Sequence, residues 1–108
     1  MIQTMKSNKE LQPTNGMLVT KRYYTDTQGG KIREVLSKNC IRVGYFTYPS
    51  AGEDTTFGED AEYDTNYEDE IWSRRKSGRW RIVGRPDKRG ECSLFFGHAR
   101  SRRIEAEW

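Results

Sequence analysis

The apolar residues of this chain come in short runs of β-branched and aromatic side chains, each cut off by turn formers. Runs of that length and type suit strands of a pleated sheet and leave little room for a helical core. The run MLVTKRYY (17–24) is the first. It is followed by the polar cluster TDTQGG, whose Gly29 and Gly30 read as turn residues. KIREVL comes next, then SKN, then CIRVGYFTY up to Pro49, where Ile41, Val43 and Tyr45 alternate against Arg42. The apolar run ECSLFFGH lies nearer the C-terminus.

Two stretches admit a helix as well as a strand. Ile32, Val35 and Leu36 fit one helical face, so a short helix over 31–39 competes with a strand. In the tail, Ile104, Ala106 and Trp108 alternate against Arg103, Glu105 and Glu107, while Arg, Glu and Ala also favour a helix over 101–108. The expected fold is mainly β: a single small antiparallel meander of about six or seven strands, barrel-like or strongly bent. Residues 1–16 read as a mobile N-terminal arm closed by the turn Asn15-Gly16, and 17–108 as one β domain with a long acidic loop over about 49–67.

Leu, Ile, Val and Phe number only 18 in 108 residues, which would border on disorder if the net charge were high. The net charge is only +3, and three Trp, six Tyr and four Phe supply large rings for a small core. The segment EDEIWSRR-KSG-RWRIVG reads as a hairpin. A two-residue turn at Ser77-Gly78 would put Trp72 and Trp80 on opposite faces. A three-residue loop Lys76-Ser77-Gly78, with Gly78 left-handed, pairs Trp72 with Ile82 and Arg74 with Trp80. Only the second register gathers both indoles, and it is the one expected.

The modest net charge conceals sorted blocks. Residues 1–48 sum to +5, residues 49–70 to −9 and residues 71–108 to +7. Fields of that strength govern partners and encounters rather than fold. The hairpin register sets Arg75 opposite Arg79 with Arg81 beside them, a repulsion that calls for an anion or an acidic patch. Arg75, Arg79, Arg81 and Arg74 are therefore the candidate residues for binding an anion or acidic partner. In the acidic segment, Asp60, Glu62, Asp64 and Glu68 are the candidate contacts for a basic partner or for the protein's own basic face.

Several functions find no support in the residues. Counted from Asp60, an EF-hand would need Gly and Glu where this chain has Thr65 and Ile71, so no calcium loop is expected. A single His, His98, leaves Cys40 and Cys92 without a ligand set for zinc, and they read as buried thiols. Cys92 and His98 on one extended strand would stand roughly 20 Å apart, too far for a nucleophile pair. No G-x-S-x-G turn is present, and the acids lie mostly in a loop, not on the stable elements that paired catalytic carboxylates require. No enzyme, metal or cofactor is expected.

With no apolar segment long enough to span a bilayer and no apolar leader in MIQTMKSNKE, the expected setting is cytoplasmic. Two functions remain. One is a non-enzymatic protein-interaction module with a segregated acidic loop and Arg-rich face, binding another protein or a second copy of itself. The other is a nucleic-acid-binding small barrel whose Arg-rich hairpins carry interleaved rings, an arrangement suited to stacking single strands.

Overall fold

A computed structural model describes residues 11–84 and 92–104. The expected turn at Pro86-Asp87 and Gly90 and the end of the tail from Glu105 lie outside these residues, as do residues 1–10 of the arm. The described residues form eight antiparallel strands in one sheet and no helix: β1 (Leu18–Tyr23), β2 (Asp26–Ser37), β3 (Cys40–Tyr45), β4 (Asp54–Phe57), β5 (Glu70–Arg74), β6 (Trp80–Ile82), β7 (Cys92–Phe96) and β8 (Ala99–Arg102). Of the two stretches with helical potential, 31–37 lies within β2, while in 101–108 only Ser101 and Arg102 belong to a strand, β8, and the residues from Glu105 lie outside the described residues.

β1, β2, β3, β5 and β6 pair in succession, and β7 returns to the free edge of β1. The result is a strongly curved sheet that nearly comes round on itself. It is not closed, because β6 and β7 are not hydrogen-bonded partners; they meet through the rings of Trp80 and Phe96, 5.4 Å apart. β2 has register irregularities against β3 between Ile32 and Glu34 and between Val35 and Ser37, of the kind that bend a strand. The N-terminal half of β2 pairs with β8, which carries β4 on its outer edge.

Gly29 and Gly30 are not turn residues. The turn falls earlier, where Tyr24 takes a positive φ of 54°, and both glycines lie inside β2. Gly30 pairs with Val19 on one side and Tyr45 on the other, and a Cβ there would sit 2.5 Å from the Gly44 carbonyl oxygen. Close approach of backbones, not left-handed conformation, is what this position requires.

Cross-strand pairing assigns the inner face. Val19, Lys21 and Tyr23 of β1 point the same way, beside Gly30, Gln28 and Asp26 of β2. Val19, Ile32, Ile41, Val43, Tyr45, Trp72, Trp80 and Leu94 form the buried core. The hairpin takes the three-residue loop, with Gly78 at φ 91° and Trp72 opposite Ile82, so both indoles are inside. Arg74 stops that end of the barrel. Its guanidinium lies over the Trp80 ring and donates to Asn39 Oδ1 (2.9 Å), Leu11 O (2.6 Å) and Lys38 O (2.7 Å).

The stretch expected as one long acidic loop is tied down at several points. It contains β4, and Arg100 grips Asp54 across the β4–β8 pair, holding its carboxyl below the usual range through that hydrogen bond. Phe57 and Tyr63 pack on buried Phe46 at 5.1 and 5.8 Å, on the outer side of β3. The Arg33 guanidinium caps the Tyr63 ring at 3.7 Å. No helix among the described residues is long and apolar enough to cross a membrane.

Candidate functional site: the open mouth of the barrel

Along the inward face of β1 the environment changes from Val19, fully buried, through Lys21, to Tyr23, 45% exposed. The core therefore ends at Lys21, and beyond it the interior opens. A cleft of about 550 Å³ lies there, between residues 66–71 of the acidic stretch and Ile82, Val83 and Gly84 after β6, floored by Lys21, Gln28 and Tyr45. A second hollow of about 260 Å³ shares Lys21, Gln28 and Tyr67 with it and adds Tyr23, Asp26, Thr27 and Tyr48. Together they form an open mouth at one end of the curved sheet, a concave place where a ligand can sit.

The floor is a chain of polar side chains in contact. Lys21 Nζ donates to Glu70 Oε1 at 2.7 Å, with the two side chains only 15% and 11% exposed. The Tyr45 hydroxyl accepts from Trp72 Nε1 at 2.9 Å and is hydrogen-bonded to Glu70. Burial, reinforced by the Glu70 charge, raises the Tyr45 pKa well above its ordinary value, so it is a neutral phenol at neutral pH. Gln28 is pinned by its amide, which donates to Phe46 O at 2.8 Å. Each of these groups is held by a neighbour.

The walls carry rings and acids. The Tyr67 and Tyr48 rings lie with centroids 6.4 Å apart and inclined at 41°, and Tyr48 donates to Asp26 Oδ2 at 2.7 Å. Burial and that hydrogen bond push the Tyr48 pKa up to about 12. Asp26 also accepts from Ile104 N at 3.1 Å, which fixes the carboxylate. Among the described residues the lining of the two hollows holds one cation, Lys21, and four carboxylates, Asp26, Glu68, Asp69 and Glu70, a formal sum of −3. Glu70 is matched by Lys21, and Asp69 by Arg33 (2.9 Å) and Arg42 (3.7 Å). Asp26 and Glu68 remain as the carboxylates that would meet a guest.

The residues singled out from the sequence are dispersed by the fold. Arg75 and Arg79 are exposed and joined by a backbone hydrogen bond at the hairpin tip, Arg75 N to Arg79 O at 2.8 Å. Arg81 is half-buried opposite Ser73, on the face away from Trp80, whereas Arg74 is turned inward and engaged with carbonyls. Of the acids, Glu68 lines the cleft. Asp60 and Glu62 are exposed elsewhere on the stretch, and Asp64 shapes a turn by accepting from Asn66 N at 2.9 Å. The tip and the mouth lie at opposite ends of β5, about 17 Å apart at the usual rise per residue.

Lys21, Tyr45, Tyr67 and Glu70 were not candidates from the sequence. One signal for the first was present: a lysine two residues from Val19, in a strand whose other face is also polar. Cys40 and Cys92, expected buried, are half-buried and do not form a disulfide. No group of three or more potential metal ligands occurs among the described residues. Compared with known proteins, the chain matches no family model, no curated protein and no solved structure at a significant level. The site is read from its own geometry.

Proposed function

We propose that this chain is a non-enzymatic protein-interaction module whose acidic, tyrosine-walled mouth receives a basic segment of a protein partner. The observation that carries the reading is the placement of the acidic stretch. Residues 66–70 form one wall of the 550 Å³ cleft, fixed there by the Lys21–Glu70 and Arg33–Asp69 pairs. A fixed negative rim beside exposed Tyr23, Tyr67 and Val83 combines charge selection with apolar contact area. The partner is another protein or a second copy of this chain, whose hairpin tip of Arg75, Lys76 and Arg79 is itself a basic segment. A cytoplasmic setting belongs to the same proposal, supported by two cysteines that do not join in a disulfide.

One observation favours nucleic acid as a second reading. The acidic stretch would repel phosphate if it lay over the arginines, and the fold keeps the mouth at the other end of the barrel from Arg75 and Arg79. Anisotropy of a labelled lysine-rich peptide and of a labelled single-stranded oligonucleotide separates the two. The peptide should bind, weaken with Glu68→Lys and be indifferent to Arg75→Ala/Arg79→Ala. Oligonucleotide binding that falls steeply with salt and is lost with the arginines, with no peptide binding, would replace the proposal by the second reading. Solution mass with and without Arg75→Ala/Arg79→Ala reports whether a second copy is the partner.

A further inference from the structure

We infer that the smaller hollow of the mouth is a receptor for a single cationic side chain, a lysine ammonium of the partner, held beside Tyr23, Tyr48 and Tyr67 with Asp26 as its counter-charge and Glu68 in the adjoining cleft. This rests on the protein-interaction reading and gives it a specific guest.

Among the described residues the hollow of about 260 Å³ is lined by three tyrosines and by Asp26 as its carboxylate. Ring faces attract cations through their quadrupole, and cages of several rings select ammonium groups over neutral ones of equal size. Tyr48 and Tyr67 are inclined at 41° with centroids 6.4 Å apart, so they form two walls of a corner, not a closed stack. Tyr48 is locked by its bond to Asp26, and the same bond aims the carboxylate. Tyr67 is 40% exposed and Tyr23 45% exposed, the latter with its ring edge-on to Tyr24 at 4.6 Å, so both rings reach solvent at the hollow.

The charges nearby agree with that guest. Lys21 lines the hollow but is already matched by Glu70 at 2.7 Å, so the floor offers no net charge to repel an ammonium. Arg103 stands 5.9 Å from the centre of the Tyr48 ring, so the guest's place is on the Tyr23 and Tyr67 side of that ring, away from this resident cation. An anionic guest would meet Asp26 instead, and a neutral apolar guest would leave that carboxylate partly desolvated without return.

The test uses the full chain and a lysine-containing peptide in two forms, one with free ammonium groups and one with every lysine acetylated. Acetylation keeps the stem and removes the charge. The free form is expected to bind at least about tenfold more tightly. Tyr67→Ala and Tyr23→Ala, both at exposed positions, are expected each to weaken the free form by about threefold to tenfold, while Tyr67→Phe retains most of the affinity. A thermal melt of each variant verifies that it is folded. Equal binding of the two forms, or binding unaffected by Tyr67→Ala and Tyr23→Ala, would overturn the receptor assignment and leave the protein-interaction reading in place. Failure of the wild-type chain to bind any lysine-rich peptide would overturn both.

Discussion

Replacing Lys21 by Met asks whether the mouth is an enclosed site or a wet surface. Met keeps the aliphatic stem, so the substitution removes the ammonium and little volume. It takes from the Glu70 carboxylate, which is 11% exposed, the ammonium 2.7 Å away. Breaking one partner of a fully buried pair costs about 3–5 kcal/mol, whereas an exposed pair is worth about 0–1 kcal/mol. The pair here is largely covered, but Glu70 keeps its hydrogen bond with Tyr45 and some access to water. The expected loss is therefore about 2–3 kcal/mol, a large share of the roughly 5–15 kcal/mol available to a domain of this kind. Urea unfolding followed by tryptophan fluorescence should show a lower midpoint at an unchanged slope. The double variant Lys21→Met/Glu70→Gln strands no charge and should recover most of the loss. A single variant within about 0.5 kcal/mol of the wild type, where ordinary surface changes fall, would refute the reasoning. So would a double variant no more stable than the single one.

Two further outcomes follow from the packing. Trp80→Ala should cost about 3–5 kcal/mol by urea unfolding, because the ring is 2% exposed and packs on Phe96 and Arg74. A loss below about 1 kcal/mol would remove Trp80 from the core. Tyr45, Tyr48 and Tyr63 should ionise late in an ultraviolet tyrosinate titration, since their folded pKa values are raised above the ordinary 10, Tyr48 to about 12. A raised value favours the neutral phenol, so the stability it contributes is present below pH 10 and is lost as pH rises through the folded values. Full ionisation of all tyrosines near pH 10 with the fold intact would contradict this.

The register of the β5–β6 hairpin was legible because two constraints coincide in sequence. Gly78 supplies the left-handed position, and only that loop length puts Trp72 and Trp80 on one side. The inward alternation of Ile41, Val43 and Tyr45 was legible for the same kind of reason, with Arg42 marking the outer face. The glycines of β2 misled because paired glycines suit a turn and a crowded strand equally, and only the neighbouring backbone of Gly44 distinguishes them. β4 escaped notice because it is four residues long and begins with an acid. Its partner β8 lies over forty residues later in the chain, and no local pattern signals the Asp54–Arg100 grip. The mouth was hidden for a related reason. Lys21, Tyr45, Tyr67 and Glu70 come from four separate parts of the chain, and the charge blocks drew notice to the exposed arginines and acids. The half-buried pair that matters combines the least conspicuous lysine with the last acid of its block.

The central claim is that the acidic, tyrosine-walled mouth, and not the arginine tip, is where a partner sits. Amide chemical-shift mapping with a lysine-rich peptide locates the contact residue by residue. Shifts should concentrate at residues 21–28, 66–70 and 82–84, with Arg75 to Arg79 unmoved. Shifts centred on Arg75 to Arg79, or scattered evenly over the surface, would contradict it.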